Sequence, residues 1–160
     1  MKIYKRPLFK SDVVKWQMLP ILLPHSIYVI TLLWGYFMLE RNIGVFYIIL
    51  FTSVFISPVV YISFKLIFYI ELYDDKIILV NGILKFWRKE YLFSEYPVCG
   101  IEYNRGYITN IIKMRKHSTK GLFPFVGIDL VDPRDLKEIV SFMEQRGVVV
   151  KVKDIKELES

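Results

Sequence analysis

The chain has 160 residues, a net charge of +6 and a hydrophobic content of 54%, with aromatic residues at 16%. This length allows one small domain beside a membrane segment, and the apolar content is high for a protein that is soluble throughout. The single cysteine, Cys99, excludes an internal disulfide and gives no indication of an oxidising compartment. The charge is uneven, because residues 1–16 hold five basic side chains against one acid, whereas the segment from Lys65 onwards is nearly balanced.

Two long uncharged stretches follow the basic N-terminus. They are Gln17–Leu39 and Ile43–Phe64, and neither contains Asp, Glu, Lys or Arg. Each exceeds the ~20 residues that a helix needs to cross a ~30 Å hydrocarbon core, and helix is the only state open to a lone apolar segment there. Only Glu40–Asn42 separates them, so we predict a tight transmembrane hairpin over residues 17–64. The alternative, two buried helices of a soluble core, accounts less well for two consecutive uncharged segments.

The distribution of Lys and Arg predicts the orientation of this hairpin. Basic residues concentrate before the first span and after the second, so the positive-inside rule places both termini in the cytoplasm. Residues 1–16 are then a basic cytoplasmic segment and not a signal peptide, because the apolar run is too long and no small-residue cleavage site follows it. We therefore expect a multi-pass protein of the inner (plasma) membrane.

Proline and histidine within the spans have structural explanations. Pro20 and Pro24 are expected in the first turns of helix one, where a missing amide hydrogen costs least. Pro58 should kink helix two, with Ser57, Ser53 or a neighbouring helix satisfying the carbonyl that it leaves free. His25 has no acidic partner in either span, so we prefer a neutral, hydrogen-bonded histidine to a proton relay.

After Lys65 the pattern changes to short runs rich in β-branched and aromatic residues, bounded by turn residues. We expect a tight hairpin at Asn81–Gly82, because this dipeptide is typical of two-residue β-turns. Pro124 suggests an edge strand or a bulge. The predicted strands are Leu66–Tyr73, Lys76–Val80, Ile83–Phe93, Val98–Tyr103, Tyr107–Arg115, Leu122–Val131 and Val148–Val152.

One amphipathic helix is predicted before the last strand. Asp132 suits the N-cap, Pro133 the first helical position and Gly147 the position after the helix ends. Its apolar side chains recur at helical spacing and form a stripe that can pack on a sheet: Leu136, Ile139, Val140 and Met143. We therefore predict one small α+β domain over residues 65–153, followed by a polar tail over residues 154–160.

The order of these elements resembles that of bacterial membrane proteins with a pleckstrin-homology-like domain. A basic N-terminus and two spans precede LYDDKIILVNGILKFWRKEYLF, and the capped helix DPRDLKEIVSFMEQRG follows. The resemblance covers most of the chain, and its motifs are β-hairpin patterns, not catalytic signatures. It implies a bent antiparallel sheet or partly open barrel closed by one C-terminal amphipathic helix, with a binding or scaffolding role. The strand after the helix departs from the pattern.

No catalytic or metal-binding constellation is recognisable in the sequence. Cys99 has no histidine near it and is expected to be a small buried side chain, while two histidines do not make a convincing metal cluster. A phosphate-binding glycine loop, a zinc-protease helix and a nucleophile elbow are all missing. We predict that the protein is not an enzyme and uses no cofactor or metal. The nearly balanced charge after residue 65 disfavours nucleic acid as a partner.

Two basic clusters supply the candidate binding residues. The first comprises Lys113, Arg115, Lys116 and Lys120, with His117 among them; the second comprises Lys85, Arg88 and Lys89. Each such charge contributes about 1 kcal/mol to binding an anionic membrane surface. For the first cluster, a surface for a partner protein and a solvated hairpin tip are the alternatives, and all three readings stay open.

Two functions remain open on these observations. In the first, the protein is an accessory or scaffolding subunit that docks onto another membrane protein or complex through its hairpin and β domain. In the second, it is an immunity protein against a toxin that acts at the inner membrane, a role open to small hairpin proteins.

Overall fold

Two long helices form a hairpin at one end of the protein. The computed structural model describes residues 1–38, 43–107, 109–116 and 125–155, so the predicted turn Glu40–Asn42 lies outside the described residues. The helices are α1 (Leu19–Met38) and α2 (Ile43–Leu66). Both are long and apolar enough to cross a membrane, and only 6% of the most apolar stretch of each helix is buried within the protein. The core helix of a soluble protein would be mostly buried, so this exposure agrees with a membrane hairpin.

The first helix begins before the apolar stretch does, which makes the expected position of its prolines wrong. Helical backbone starts at Asp12, and a π-helical segment, Val14–Met18, leads directly into α1. Pro20 therefore follows roughly two turns of helix, and Pro24 lies inside α1. A proline removes one i→i−4 hydrogen bond. Pro20 has no amide hydrogen to donate to the helical hydrogen bonds, and the wider π-helical segment ends two residues before it.

The proline of α2 has the environment that the sequence predicts. Pro58 lies inside this helix and cannot donate to the carbonyl of Val54, four residues earlier. Ser57 Oγ donates to that oxygen instead, at 2.9 Å. Of the three partners expected for the freed carbonyl, the structure therefore shows Ser57, while the kink stays a prediction.

The described strands form two four-stranded sheets that are not closed into a barrel. The sheet orders are β1-β2-β3-β4 and β7-β6-β5-β8. Helix α3 (Leu136–Glu144) lies between β7 and β8 in the chain. The strands are β1 (Lys2–Tyr4), β2 (Phe68–Leu72), β3 (Lys76–Asn81), β4 (Arg88–Leu92), β5 (Val98–Asn104), β6 (Thr109–Arg115), β7 (Phe125–Gly127) and β8 (Val149–Lys153).

A wholly antiparallel sheet was expected, and this is wrong for the last strand. β8 runs parallel to β5, with Val98 opposite Val149 and Glu102 opposite Lys153. Parallel neighbours need a crossover connection, commonly a helix. Helix α3 provides it, because it carries the chain back before β8 begins.

The predicted two-residue turn at Asn81–Gly82 is also wrong. Asn81 is the last residue of β3, and β4 begins only at Arg88, so the expected strand Ile83–Phe93 is shorter at both ends. The Asn81 side chain accepts hydrogen bonds from the amides of Ile83 (3.0 Å) and Leu84 (2.8 Å). Asn81 therefore caps a longer connection, Gly82–Trp87, instead of occupying a tight turn.

Helix α3 follows the predicted capping pattern closely. Asp132 accepts a hydrogen bond from the amide of Arg134 at 3.0 Å, and a short 3₁₀ turn, Pro133–Asp135, leads into the helix. Gly147 has a φ of 81°, the left-handed conformation expected after a helix end. Three members of the predicted stripe are fully buried: Leu136, Ile139 and Met143.

Two apolar cores hold these elements together. The first lies between the two sheets and includes the buried stripe of α3 and the side chain of Cys99. The second lies on the other face of the first sheet, where Tyr69 and Val80 meet Val13, Met18 and Leu66. Strand β2 is consequently buried along its whole length. A strand covered on both faces does not alternate between apolar and polar residues as a half-exposed strand does, and in β2 only Glu71 interrupts the apolar run.

Candidate functional site

The start of the first helix and the end of α2 meet the β domain in one region, which we call the junction. It is built by residues from the N-terminal segment, the two helices and both sheets: Arg6, Ser11, Gln17, Phe64, Leu66, Asn81, Tyr107, Gly127 and Asp129. Its contacts fix how the hairpin sits on the domain, so it is the candidate site for a protein without recognisable catalytic residues.

No linker separates α2 from the β domain. α2 ends at Leu66 and β2 begins at Phe68, while the intervening Ile67 forms an isolated bridge with Ile128 of the second sheet. A Cβ atom placed on Gly127 would lie 2.5 Å from the Leu66 Cα atom and 2.7 Å from the Leu66 oxygen. Only glycine allows the strand to approach the end of the helix this closely.

Asn81 ties the end of β3 to the last turn of α2. Its Nδ2 donates to the Phe64 carbonyl at 2.6 Å, and the adjacent amide of Gly82 donates to the Ile67 carbonyl at 2.8 Å. The last carbonyls of a helix have no partner within the helix, so these bonds satisfy two acceptors at its C-terminal end. Asn81 thus forms hydrogen bonds both with the loop that follows it and with the end of α2.

The N-terminal segment is part of the β domain and not a separate basic arm. β1 pairs antiparallel with β2, placing Tyr4 opposite Ile70, and the Tyr4 side chain is 7% exposed in the first core. Both ends of the hairpin therefore enter the same folded unit. The pairing of β1 with β2 does not depend on the side of a membrane on which the β domain lies.

A buried ion pair anchors the segment before the first helix to the turn that follows β7. The guanidinium of Arg6 contacts the Asp129 carboxylate at 3.1 Å and also donates to the Asp129 backbone carbonyl. The Asp129 side chain is 1% exposed and that of Arg6 is 18% exposed. Ser11 donates its hydroxyl hydrogen to the other carboxylate oxygen, and the Ser11 oxygen accepts from the amide of Val14 at 3.0 Å as a helix N-cap.

Burial dominates the electrostatics of this carboxylate. Removal of Asp129 from water raises the pKa of its carboxyl group, while the bonds from Ser11 and Arg6 act in the opposite direction. A buried charge of this kind is tolerated only when it is paired and hydrogen-bonded. Arg6, Ser11 and Asp129 therefore depend on one another, although 118 or more positions separate Asp129 from the other two.

A second contact joins α1 to the second sheet. Gln17 Nε2 donates to the carbonyl of Tyr107, in the turn between β5 and β6, at 3.0 Å. The Tyr107 ring stacks on Phe125 with 5.4 Å between ring centroids, and the Lys65 ammonium lies 5.2 Å from the Phe125 centroid. Both helices thus contact the same stacked pair of residues, Tyr107 and Phe125.

The lysines of the first predicted basic cluster form ion pairs with acidic side chains of different segments. Lys113 forms an ion pair with Glu102 of β5. Lys116 pairs with Glu95 at 2.8 Å and lies 5.0 Å from the Tyr96 ring centroid. Arg115 is exposed at the end of β6, and Lys120 lies outside the described residues, so lipid binding by this cluster stays a prediction.

The second cluster lies on and beside the Gly82–Trp87 connection. Lys85 is exposed within the connection, and Arg88, the first residue of β4, is also exposed. Lys89 is half-buried, and its burial together with the neighbouring charge of Lys65 lowers the pKa of its ammonium group. Of these three cations, Lys89 thus lies close enough to the last turn of α2 for its charge to interact with that of Lys65.

Cys99 is fully buried in the first core, and burial raises the pKa of its thiol to about 12. A thiol in this state is neutral at pH 7, and only the thiolate is an effective nucleophile. Among the residues that the structure describes, no group of three or more His, Cys, Asp or Glu side chains could hold a metal ion.

The residues of the junction are mostly absent from the predicted sites. Ser11–Asp12 before an apolar run is a recognisable helix start, so the capping preference of serine could have identified Ser11. Arg6 and Asp129 carry no such signal, because their pairing depends on a contact between distant segments. The role of Gly127 is not recognisable from the sequence either, because it depends on how closely its backbone approaches that of Leu66.

The fold and the junction define a class of protein: two helices long and apolar enough to span a membrane, joined without a linker to a two-sheet β domain that includes the N-terminal strand. Neither a family model nor a curated protein matches the chain.

Proposed function

We propose that this protein is a non-enzymatic accessory or scaffolding subunit of an inner-membrane complex. In this proposal the hairpin anchors the chain, the β domain is a pleckstrin-homology-like binding module, and the partner is another membrane protein. The observation that carries it is the junction, which holds the domain against the hairpin through contacts from both helices.

A rigid junction suits a scaffold because it fixes the height and the rotation of the docking domain above the bilayer. A flexible linker would leave the partner surface free to reorient and would add an entropic cost to docking. Here β2 begins two residues after α2 ends, and β1 ties the N-terminal segment to the same sheet. The domain is thus presented to the partner in one orientation.

The pleckstrin-homology-like assignment is supported by the two sheets and by the C-terminal helix that packs on their shared core. The parallel strand β8 departs from the expected pattern. In the described part of the chain no feature favours the immunity function over the scaffolding one, so immunity stays the alternative prediction.

We expect both termini to be cytoplasmic, because basic residues flank the hairpin on that side. In a Cys99→Ala background, Asn42→Cys should react with a membrane-impermeant thiol reagent in intact cells, whereas Ser160→Cys should react only after the cells are opened. The reverse labelling pattern would overturn the orientation.

Purification of the tagged full-length protein in mild detergent tests the function. We expect an integral membrane protein to co-purify in near-stoichiometric amount, as identified by mass spectrometry, and to be retained by the exposed-surface variant Asp74→Ala. Recovery of a soluble toxin in place of a membrane protein would support the immunity alternative. Recovery of no protein above the level of an unrelated two-span control would contradict a docking role.

A further inference from the structure

The Gly82–Trp87 connection lies at the hairpin end of the first sheet. β2 starts at Phe68, directly after α2, and Phe68 is opposite Asn81, the last residue of β3. The connection that follows Asn81 must therefore lie beside the helix end. The β2–β3 turn at Asp74–Asp75 lies at the opposite end of the same strands.

Ring contacts place the connection alongside α2 and not merely near its end. The Trp87 ring stacks on Tyr61 with 5.9 Å between centroids and an interplanar angle of 24°. It also meets Phe68 edge-on at 5.6 Å. Tyr61 lies five residues before the end of α2, which corresponds to about 7.5 Å along the helix axis. The connection thus extends down the side of the membrane helix.

The connection presents apolar side chains outward from this position. Phe86 is 82% exposed and Ile83 is 43% exposed. The backbone that carries them is held in place, since the Trp87 amide donates to the Leu84 carbonyl at 2.8 Å and Asn81 caps the amides of Ile83 and Leu84. The large aromatic side chain of Phe86 is therefore exposed on a loop whose backbone is held in place by hydrogen bonds.

Charge and aromatic residues around the connection match a membrane interface. Lys85 and Arg88 are exposed beside Phe86. In the N-terminal segment, Phe9, which precedes the first helix, is 70% exposed, and Trp16, in the π-helical segment, is 69% exposed. Aromatic residues concentrate at the headgroup level of bilayers, and cationic side chains nearby reach anionic headgroups.

We propose that the Gly82–Trp87 connection inserts Phe86 and Ile83 into the headgroup and acyl boundary of the bilayer, with Lys85 and Arg88 in contact with anionic headgroups. This inference depends on the part of the proposed function that places the hairpin in the membrane. The occupant is lipid and not a partner protein, because the connection lies against the side of a helix that lipid surrounds. The loop is then an additional anchor that sets the tilt of the β domain.

Spin labels on the full-length protein in nanodiscs of phosphatidylethanolamine and phosphatidylglycerol test the proposal. In a Cys99→Ala background, nitroxides are attached to single cysteines at Phe86, at Val54 within α2 and at Asp75 in the distal turn. Collisions with oxygen and with an aqueous nickel chelate are then compared. We expect Phe86→Cys to favour oxygen over the chelate, Val54→Cys to favour oxygen more strongly, and Asp75→Cys to favour the chelate.

The three sites separate failure of this inference from failure of the proposed function. If Val54→Cys reports hydrocarbon while Phe86→Cys is as accessible to the chelate as Asp75→Cys, the loop does not enter the membrane and the inference is wrong. If Val54→Cys is aqueous, the hairpin does not span the bilayer and both are overturned. Phe86 and Asp75 are exposed, so neither label displaces a core side chain.

Discussion

Replacement of Gly127 by alanine is expected to disrupt the junction between α2 and the β domain. The new Cβ would lie 2.5 Å from the Leu66 Cα atom and 2.7 Å from its oxygen, and backbone atoms cannot rotate aside as a side chain does. Overpacking typically costs 1–3 kcal/mol, and we expect a loss at the upper end, about 3 kcal/mol. The temperature at which the β domain becomes protease-sensitive in nanodiscs should fall accordingly.

Gly100→Ala is the matched control for Gly127→Ala. Gly100 lies in β5 of the same sheet, and a Cβ there would meet its nearest atom, in Lys113, at 3.9 Å, an ordinary van der Waals distance. Its protease resistance should stay close to that of the unmodified protein. Equal resistance of the Gly127 and Gly100 variants would show that the strand and the helix end are not in the close contact described.

Replacement of Asp129 by alanine is expected to release the N-terminal segment from the domain. The change removes the carboxylate that accepts from both the partly buried Arg6 guanidinium and the Ser11 hydroxyl, although Arg6 keeps its weaker pair with Asp12 at 3.3 Å. Loss of one member of a buried ion pair typically costs 3–5 kcal/mol; because Arg6 is 18% exposed, we expect about 3 kcal/mol. Trypsin should then cleave after Lys5 or Lys10, whereas the unmodified protein should resist cleavage at these two positions.

Asp74→Ala provides the comparison for Asp129→Ala. Asp74 also accepts from an arginine, Arg146, at 2.7 Å, but its side chain is 89% exposed. Exposed ion pairs contribute roughly 0–1 kcal/mol, so this variant should digest like the unmodified protein. If the two variants show the same cleavage pattern, the Arg6–Asp129 pair does not hold the N-terminal segment.

Features that depend on local pattern were predictable from the sequence. The two spans follow from uncharged length alone. Helix α3 is specified by Asp132, Gly147 and an apolar stripe, and each of these has the predicted role. The serine that binds the carbonyl freed by Pro58 is similarly close in sequence.

Features that depend on distant contacts were not predictable. Lys2–Tyr4 is too short and too polar to show strand periodicity, and it becomes β1 only because β2 offers an edge. Asn81–Gly82 has the composition of a tight turn, but the end of α2 competes for the same polar groups. The Lys113 and Lys116 side chains are neighbours in sequence, yet acids of other segments pair with them.

The pairing of β1 with β2 determines the order in which this protein can be assembled. β1 is made before its strand partner, Phe68–Leu72, which follows both apolar helices in the chain. Closing a contact across so long a segment is entropically costly until the segment is ordered. The first sheet can therefore be completed only after both helices have formed with their β-domain ends side by side. If the hairpin spans the bilayer as proposed, closure of the β1–β2 pair reports that both helices have been inserted correctly.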